Sequence, residues 1–253
     1  MVELCEVAPS PALRVATWNL NHRVGYTRYR PEAARAIAIL GADVLVLTEY
    51  FPQEQDARFR DDLQEAGYLW ISASANREVR ANAVLIASRL AASAEPLALP
   101  GFDDQFDSNL HAIRLQTSEM VVIGVRIPWY TDGPCKVELA WEWLERCAAQ
   151  RLTSTTVIAG DLNTAPRPTG ARGGKVLLRM LESGWTRAAP PIGASFVGKP
   201  GQQTEIDHIL VSPSCELGTA RYVTAERGIQ FAGKHGLSDH AVLVADIRVA
   251  QAT

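Results

Sequence analysis

The feature that most constrains this chain is a series of short, β-branched apolar runs, several of which end in a carboxylate or a carboxamide. LRVATWN (13–19), DVLVLTE (43–49), YLWISAS (68–74), ANAVLIAS (81–88), NLHAIRLQ (109–116), MVVIGVRI (120–127), TTVIAGDL (155–162), IDHILVS (206–212), ARYVTAE (220–226) and AVLVADIRV (241–249) are short and rich in Val, Ile and Thr, so they predict strands. Helix signals fall between them. PEAARAIAILG opens on Pro31 and closes on Gly41, EQDARFRDDLQEAG closes on Gly67, and CKVELAWEWLERCAAQ and GKVLLRMLESG supply two more candidates.

These elements do not alternate as a parallel βαβ wheel requires, because strands follow one another directly through residues 68–127 and 194–226. Mixed, largely antiparallel sheets result. Runs this apolar are buried on both faces when two such sheets pack face to face with helices outside. The expected class is therefore α/β (α+β), a four-layer α/β/β/α sandwich. No internal repeat and no linker-like tract interrupts the 253 residues, which predicts one domain over 1–253 with its core at about 13–249.

With 47% apolar and 21% charged residues the composition is that of an ordinary globular protein. Lys+Arg 25 against Asp+Glu 28 leaves a net charge of −3, so no global positive field draws the chain onto nucleic acid or anionic lipid. An anionic substrate must be met locally. Cys5, Cys135, Cys147 and Cys215 form no Cys-x-x-Cys motif and are read as reduced thiols. The N-terminal stretch lacks the pattern of a signal peptide, and no run reaches the ~18 uninterrupted apolar residues of a membrane span. A cytoplasmic location without a membrane span is expected.

The polar strand ends are the chemically informative positions. Asn19 and Asn21 are two apart and project to one side of their strand, Glu49 ends its own, and Asp161 and Asn163 repeat the spacing after Gly160. Asp207 interrupts an apolar run, and Asp239 and His240 precede the last one. Asx residues at strand ends commonly make turns, so any one of these alone reads more readily as structure than as function. A carboxylate inside a buried strand, however, must be paired or hydrogen-bonded to be tolerated. Hard oxygen donors with little nitrogen or sulfur point to Mg²⁺, with Mn²⁺ as the alternative, rather than to zinc.

TWNLN, LTE, GDLN, IDHILVS and SDH, in that order, resemble the motifs of the endonuclease/exonuclease/phosphatase superfamily of deoxyribonuclease I-like proteins, over roughly residues 13–249. The resemblance implies the same sandwich and a divalent-metal-dependent phosphoester hydrolase. Matched by motif, Glu49 would be the main metal carboxylate with Asn19 beside it and Asp239 facing the metal. Asp161 would orient or deprotonate the attacking water, Asn163 would hold a phosphate oxygen, and His240, oriented by Asp207, would be the phosphate-side imidazole. One position departs from the family. The strand MVVIGVRI resembles one that usually delivers His or Tyr, but here it carries Arg126, which cannot shuttle a proton and would serve as a fixed cation on phosphate, or else be a surface arginine.

Two stretches hold basic residues without acids: NHRVGYTRYRP with Arg23, Arg28 and Arg30, and PRPTGARGGK with Arg167, Arg172 and Lys175. Together with Asn21 they would form a substrate-binding rim, or are merely solvated loops. His111 and His208 read as packing residues by strand phase, Trp141 and Trp143 as helix packing, and His22 and His235 as loop residues near the site. The leading expectation is a nuclease or phosphodiesterase on nucleic acid. A phosphatase or phosphodiesterase of a small phosphorylated metabolite or lipid headgroup is the alternative, and a non-catalytic binding protein on the same fold is the third.

Overall fold

The computed structural model describes residues 11–22, 30–52, 55–75, 82–101, 107–129, 134–169, 172–198 and 203–250. The chain begins with β1 (Leu13–Asn19), α1 (Glu32–Leu40), β2 (Val44–Tyr50), α2 (Asp56–Glu65), β3 (Trp70–Ala73), β4 (Ala83–Ser88), β5 (Ala92–Ala94), β6 (Leu110–Leu115) and β7 (Val121–Arg126). It continues with α3 (Pro134–Gln150), β8 (Thr156–Asp161), α4 (Arg172–Glu182), β9 (Thr186–Arg187), β10 (Phe196–Val197), β11 (Gln203–Thr204), β12 (Asp207–Val211), β13 (Cys215–Val223), β14 (Ala225–Glu226), β15 (Ile229–Gln230) and β16 (Val242–Val249). No described helix is long and apolar enough to cross a membrane.

Two six-stranded sheets are built alike. The first runs β13-β16-β1-β2-β4-β3 and the second β5-β6-β7-β8-β12-β9. Each holds one parallel pair, β1/β2 and β7/β8, amid antiparallel neighbours. A parallel pair needs a crossover, which α1 and α3 supply. In α1, Ala33, Ala36, Ile37 and Leu40 recur at three- and four-residue spacing and are buried, and Gly41 ends the helix at φ 59. Val137, Ala140, Trp141, Leu144 and Ala148 form the matching stripe of α3.

Strand alternation sorts the core into layers. Val44 and Val46 of β2 face the second sheet, whereas Leu45 and Leu47 face α1 and α2. Val122, Val157, Ala159, Ile209 and Val211 answer from the second sheet, and Ile123, Ile158 and Leu210 point outward to α3 and α4. Each such buried aliphatic side chain contributes about 1.5–3 kcal/mol. The sheets approach so closely at Gly124 that a Cβ there would lie 2.5 Å from Val84 Cγ1. The four-layer α/β/β/α sandwich is the observed architecture.

Local boundaries differ from the sequence reading, and the short strands β5, β9, β10 and β11 had no run of their own in it. The stretch expected as one strand over 220–226 starts earlier, at Cys215, and stops at Val223; Ala225–Glu226 pairs separately with Ile229–Gln230. Its polar edge position and a register shift between Leu217 and Ala220 blur the two-residue pattern. Arg172, expected in a loop, opens α4, which begins two residues before the helix expected from Gly174 and takes in Lys175.

Candidate active site

The site forms where the ends of β1, β2, β7 and β8 meet the start of β12. Asn19 shares the inter-sheet phase of Val15, so its buried side chain points between the sheets and Nδ2 donates to Asp161 Oδ2 at 2.8 Å. Asn19 Oδ1 accepts the Asn21 N–H at 2.8 Å, and Asn21 Nδ2 donates to Asp239 Oδ1 at 2.7 Å. Asp161 sits in the same phase as Val157 and Ala159. Gly160 before it has φ 145, and a Cβ there would stand 1.9 Å from the Val125 carbonyl oxygen, so only glycine lets β8 run this close to β7. Asn163 then folds back, its N–H on Asp161 Oδ1 at 2.9 Å and its Nδ2 on the Ile127 carbonyl at 2.7 Å.

Glu49 reaches the site by a different route. Straight alternation would send it with Leu45 and Leu47 toward the helices. A bulge between Leu47 and Tyr50, with Glu49 at φ 50, inserts one residue, so Tyr50 takes the helix-facing place and Glu49 turns to the site. Arg126 donates from Nε and Nη2 to Glu49 Oε1 at 3.1 and 3.0 Å, and His22 Nε2 lies 3.2 Å from Oε2. Of the six described non-glycine residues with positive φ, four (Asn21, His22, Glu49 and Asn163) belong to this site. Such conformations cost about 1–3 kcal/mol each and persist only where surrounding contacts impose them.

Asp207 and Asp161 face each other in register across β12 and β8, and Arg126 is the register partner of Asp161 on the other flank. The Asp207 N–H donates to Ser195 Oγ at 2.9 Å, and Asp207 Oδ2 lies 2.7 Å from His240 Nδ1. His240 is pinned on every side. Its N–H donates to Ser238 Oγ, its carbonyl accepts Trp18 Nε1 at 2.9 Å, and its ring meets Phe196 edge-on. Ser238 Oγ in turn donates to the Asn19 carbonyl at 2.7 Å, which couples the last motif to the first.

Burial sets the electrostatics. It raises the Asp161 carboxyl well above the usual range, and neighbouring Asp207 raises it further against the opposing pull of His240 and Arg126. Burial alone would lower His240, but Asp207, Asp161 and Asp239 outweigh it and push the imidazole up to about 10. Glu49 shows the reverse balance: burial opposes its charge, yet Arg126, His22 and His240 hold it below the ordinary value.

The donor set fits a hard divalent cation. Ligand atoms of Asp161, Asp207 and His240, all buried, lie within 4.8 Å of one another, and Asp207 Oδ1 is buried with no hydrogen-bond partner. Glu49 and Asn19 add oxygens at the same strand ends. Carboxylate and amide oxygens beside one imidazole can take a divalent cation.

The basic residues expected at the rim differ in their surroundings. Arg30 and Arg167 are exposed, Lys175 is exposed on α4, and Arg172 is matched to Glu142 of α3 at 2.9 Å. Arg23 and Arg28 lie outside the described residues. His208 turns to the helix side and meets the Thr164 carbonyl at 2.7 Å, and His111 meets Ser72 Oγ at 2.8 Å; burial lowers both imidazoles to about 4. Trp141 and Trp143 are buried in the α3 layer. Ser195 and Ser238 escaped the sequence reading as positioning residues, although Ser238 stands within the SDH motif. Trp129, three residues beyond Arg126, is 52% exposed and lines a small pocket with Asn163 and Thr164; an aromatic residue at a strand end was its one signal.

Two face-to-face mixed sheets with helices outside, bearing an acid and amide cluster on adjoining strand ends, define the α/β/β/α sandwich of deoxyribonuclease I-like proteins. The profile of the Endonuclease/Exonuclease/phosphatase family matches residues 16–240, and the chain belongs to that family. An endonuclease/exonuclease/phosphatase from Beutenbergia cavernae superposes with a TM-score of 0.71 at 19% identity, covering 96% of this chain and 73% of its own. A 3′ phosphatase from Neisseria, NExo, bound to product DNA hairpin, gives 0.71 at 24% identity over 92% of this chain and 98% of its own. An AP endonuclease from Archaeoglobus fulgidus gives 0.67 at 20% identity over 92% and 98%. At these identities the likeness is one of fold. No curated protein matches the chain.

Proposed function

We propose that this protein hydrolyses phosphoester bonds with a divalent cation, Mg²⁺ or alternatively Mn²⁺, and that its substrate is nucleic acid. The observation that carries the reading is the buried Asp207–His240 pair set against Asp161, with Arg126 on the flank. Glu49, Asn19 and Asp239 would hold the cation. When bound, it supplies charge stabilisation to the phosphoryl and leaving oxygens.

The chain's own residues do the rest. Asp161 accepts two amide contacts from Asn163 and one from Asn19, which fixes its oxygens to orient and deprotonate a water. Asn163 stands beside it, and to hold a phosphate oxygen its Nδ2 would exchange the longer contact to Asp161 Oδ2, at 3.3 Å, for the phosphate. His240, its Nδ1 taken by Asp207, keeps a proton on Nε2 for a phosphoryl oxygen. Arg126 donates fixed positive charge as the equatorial oxygens gain negative charge. The Neisseria 3′ phosphatase and the Archaeoglobus AP endonuclease, both named for activities of DNA enzymes, support the choice of substrate class. The pairing of Arg172 with Glu142 thins the basic rim and favours a second reading, hydrolysis of a small phosphorylated metabolite or lipid headgroup.

A substrate panel of single- and double-stranded DNA, abasic DNA, RNA, sugar and inositol phosphates and phospholipids, each with Mg²⁺, Mn²⁺ or chelator, tests the proposal. Metal-dependent turnover of a nucleic acid is expected. Turnover confined to the small phosphates selects the second reading, and none on any substrate overturns both.

A further inference from the structure

Outside the acid cluster, one cleft of about 500 Å³ is lined by more basic than acidic side chains. Arg30 and Arg35, with Glu32 as the acid between them, line one wall; Gly228, Gln230 and His235 line the other. Arg227 and Lys234 flank that second wall in sequence and are exposed. Arg30 and Arg35 make no ion pair or side-chain hydrogen bond among the described residues, whereas Arg126, Arg151, Arg172 and Arg187 are each matched to an acid. Two guanidinium groups lining a concavity with one carboxylate, and with no ion-pair partner among the described residues, leave a net positive charge suited to an anion.

The cleft lies a short stretch of chain from the acid cluster. Leu237 lines it and stands three residues before His240, so at most about 10 Å of chain separates the two. That segment is rigidly held: the Leu237 N–H donates to the Gln230 carbonyl at 3.0 Å, the Ser238 N–H to that of Phe231 at 2.9 Å, and Asp239 accepts Asn21. Arg30, at the start of the other wall, precedes α1.

We infer that this cleft binds a second phosphate of the substrate, one residue along a single nucleic-acid strand whose scissile phosphate sits at the acid cluster. The inference rests on the phosphoester-hydrolase reading and narrows it to a substrate with several phosphates in series. A monophosphorylated metabolite offers nothing to Arg30 and Arg35.

Fluorescence anisotropy with a labelled single-stranded DNA 12-mer, in chelator so that nothing is cleaved, is the test. R35E is compared with R146E, which makes the same charge change at an exposed residue of α3 outside the cleft. R35E is expected to weaken binding about tenfold and to flatten the plot of log Kd against log salt by about 0.7 or more. R35Q, with a matched thermal midpoint, should lie between. Equal affinities for R35E and R146E, or no binding by the wild type, overturn the inference. Hydrolysis of bis(p-nitrophenyl) phosphate with Mg²⁺, a substrate with one phosphate, tests the underlying reading separately: its absence refutes that reading while strand binding still decides the cleft.

Discussion

His240 Nδ1 stands 2.7 Å from Asp207 Oδ2, and both side chains are almost wholly withdrawn from solvent. Asp207 gives the imidazole its elevated proton affinity against the effect of burial, so D207N should return His240 toward its ordinary 6.5 from about 10. A group whose folded pKa is raised stabilises the fold fully below its unfolded value and loses that contribution as pH climbs through the folded value. Wild-type thermal stability should therefore decline between pH 6.5 and 10 by more than that of D207N. Turnover should drop by about 10²–10⁴ in the variant. NMR titration of the His240 ring checks the first point directly, and an unmoved midpoint would falsify the coupling.

Metal binding should depend on Glu49, although Arg126 and His22 already engage both of its oxygens. A ligand at 100 times its Kd stabilises by about 2.7 kcal/mol, which for a chain of this size is a rise of several degrees in thermal midpoint, at about 2–4 °C per kcal/mol. Mg²⁺ should give the wild type that rise, and E49Q most of the way to none. Chelator should abolish turnover of the wild type. A full Mg²⁺ shift in E49Q would move the cation away from Glu49.

Arg126 presents two nitrogens to one oxygen of Glu49 and is registered against Asp161. Lysine carries the charge without the planar fork, so R126K should recover part of what R126A loses. Loss of about 10²–10³ in kcat is expected for R126A, the range for removing one preorganised donor to transition-state charge. An R126A enzyme that keeps kcat and changes only KM would place the guanidinium on the ground state alone.

The sequence carried the sandwich because alternating apolar runs on both faces leave few other packings. It also carried Asn19, Asp161 and Asp207, which share the two-residue phase of Val15, Val157 and Ile209 and so had to point between the sheets. The aim of Glu49 was not legible. Its phase assigns it to the helix side, and only the bulge before Tyr50 redirects it. Ser195 was equally hidden, since its hydroxyl serves the Asp207 N–H from twelve residues away. The first two residues of α4, Arg172 and Gly173, fell outside the expected helix for a related reason. Gly173 weakens a helix by about 1 kcal/mol on propensity. In the fold it is required, because a Cβ there would stand 2.3 Å from Trp141 Cε2.

Acid stability should reveal a histidine remote from the site. Burial, with Arg60 nearby, lowers His111 to about 4, and its Nε2 stands 2.8 Å from Ser72 Oγ. A depressed folded pKa means the neutral form is favoured, so the contribution is complete above pH 6.5 and fades as pH falls toward 4. H111Q should thus narrow the gap in thermal midpoint between pH 7 and pH 4.5 while His208 continues to supply part of it. Equal gaps in H111Q and the wild type would remove His111 as a source.

Gly160 should be the least replaceable backbone position at the site. Its φ of 145 lies where side chains are not tolerated, and any Cβ would fall 1.9 Å from the Val125 carbonyl oxygen. G160A must either force β8 away from β7 or break the Val125 geometry, and both routes displace Asp161 and Arg126 together, because these are paired at the next register position. Overpacking combined with a strained backbone predicts a loss of about 2–4 kcal/mol in urea unfolding. At Gly184, whose φ is also positive but where a Cβ would come no nearer than 3.2 Å to Pro213 Cγ, alanine should cost about 1 kcal/mol. Similar losses at the two positions would mean that backbone conformation alone, and not the close approach of β8 to β7, accounts for the glycine at 160.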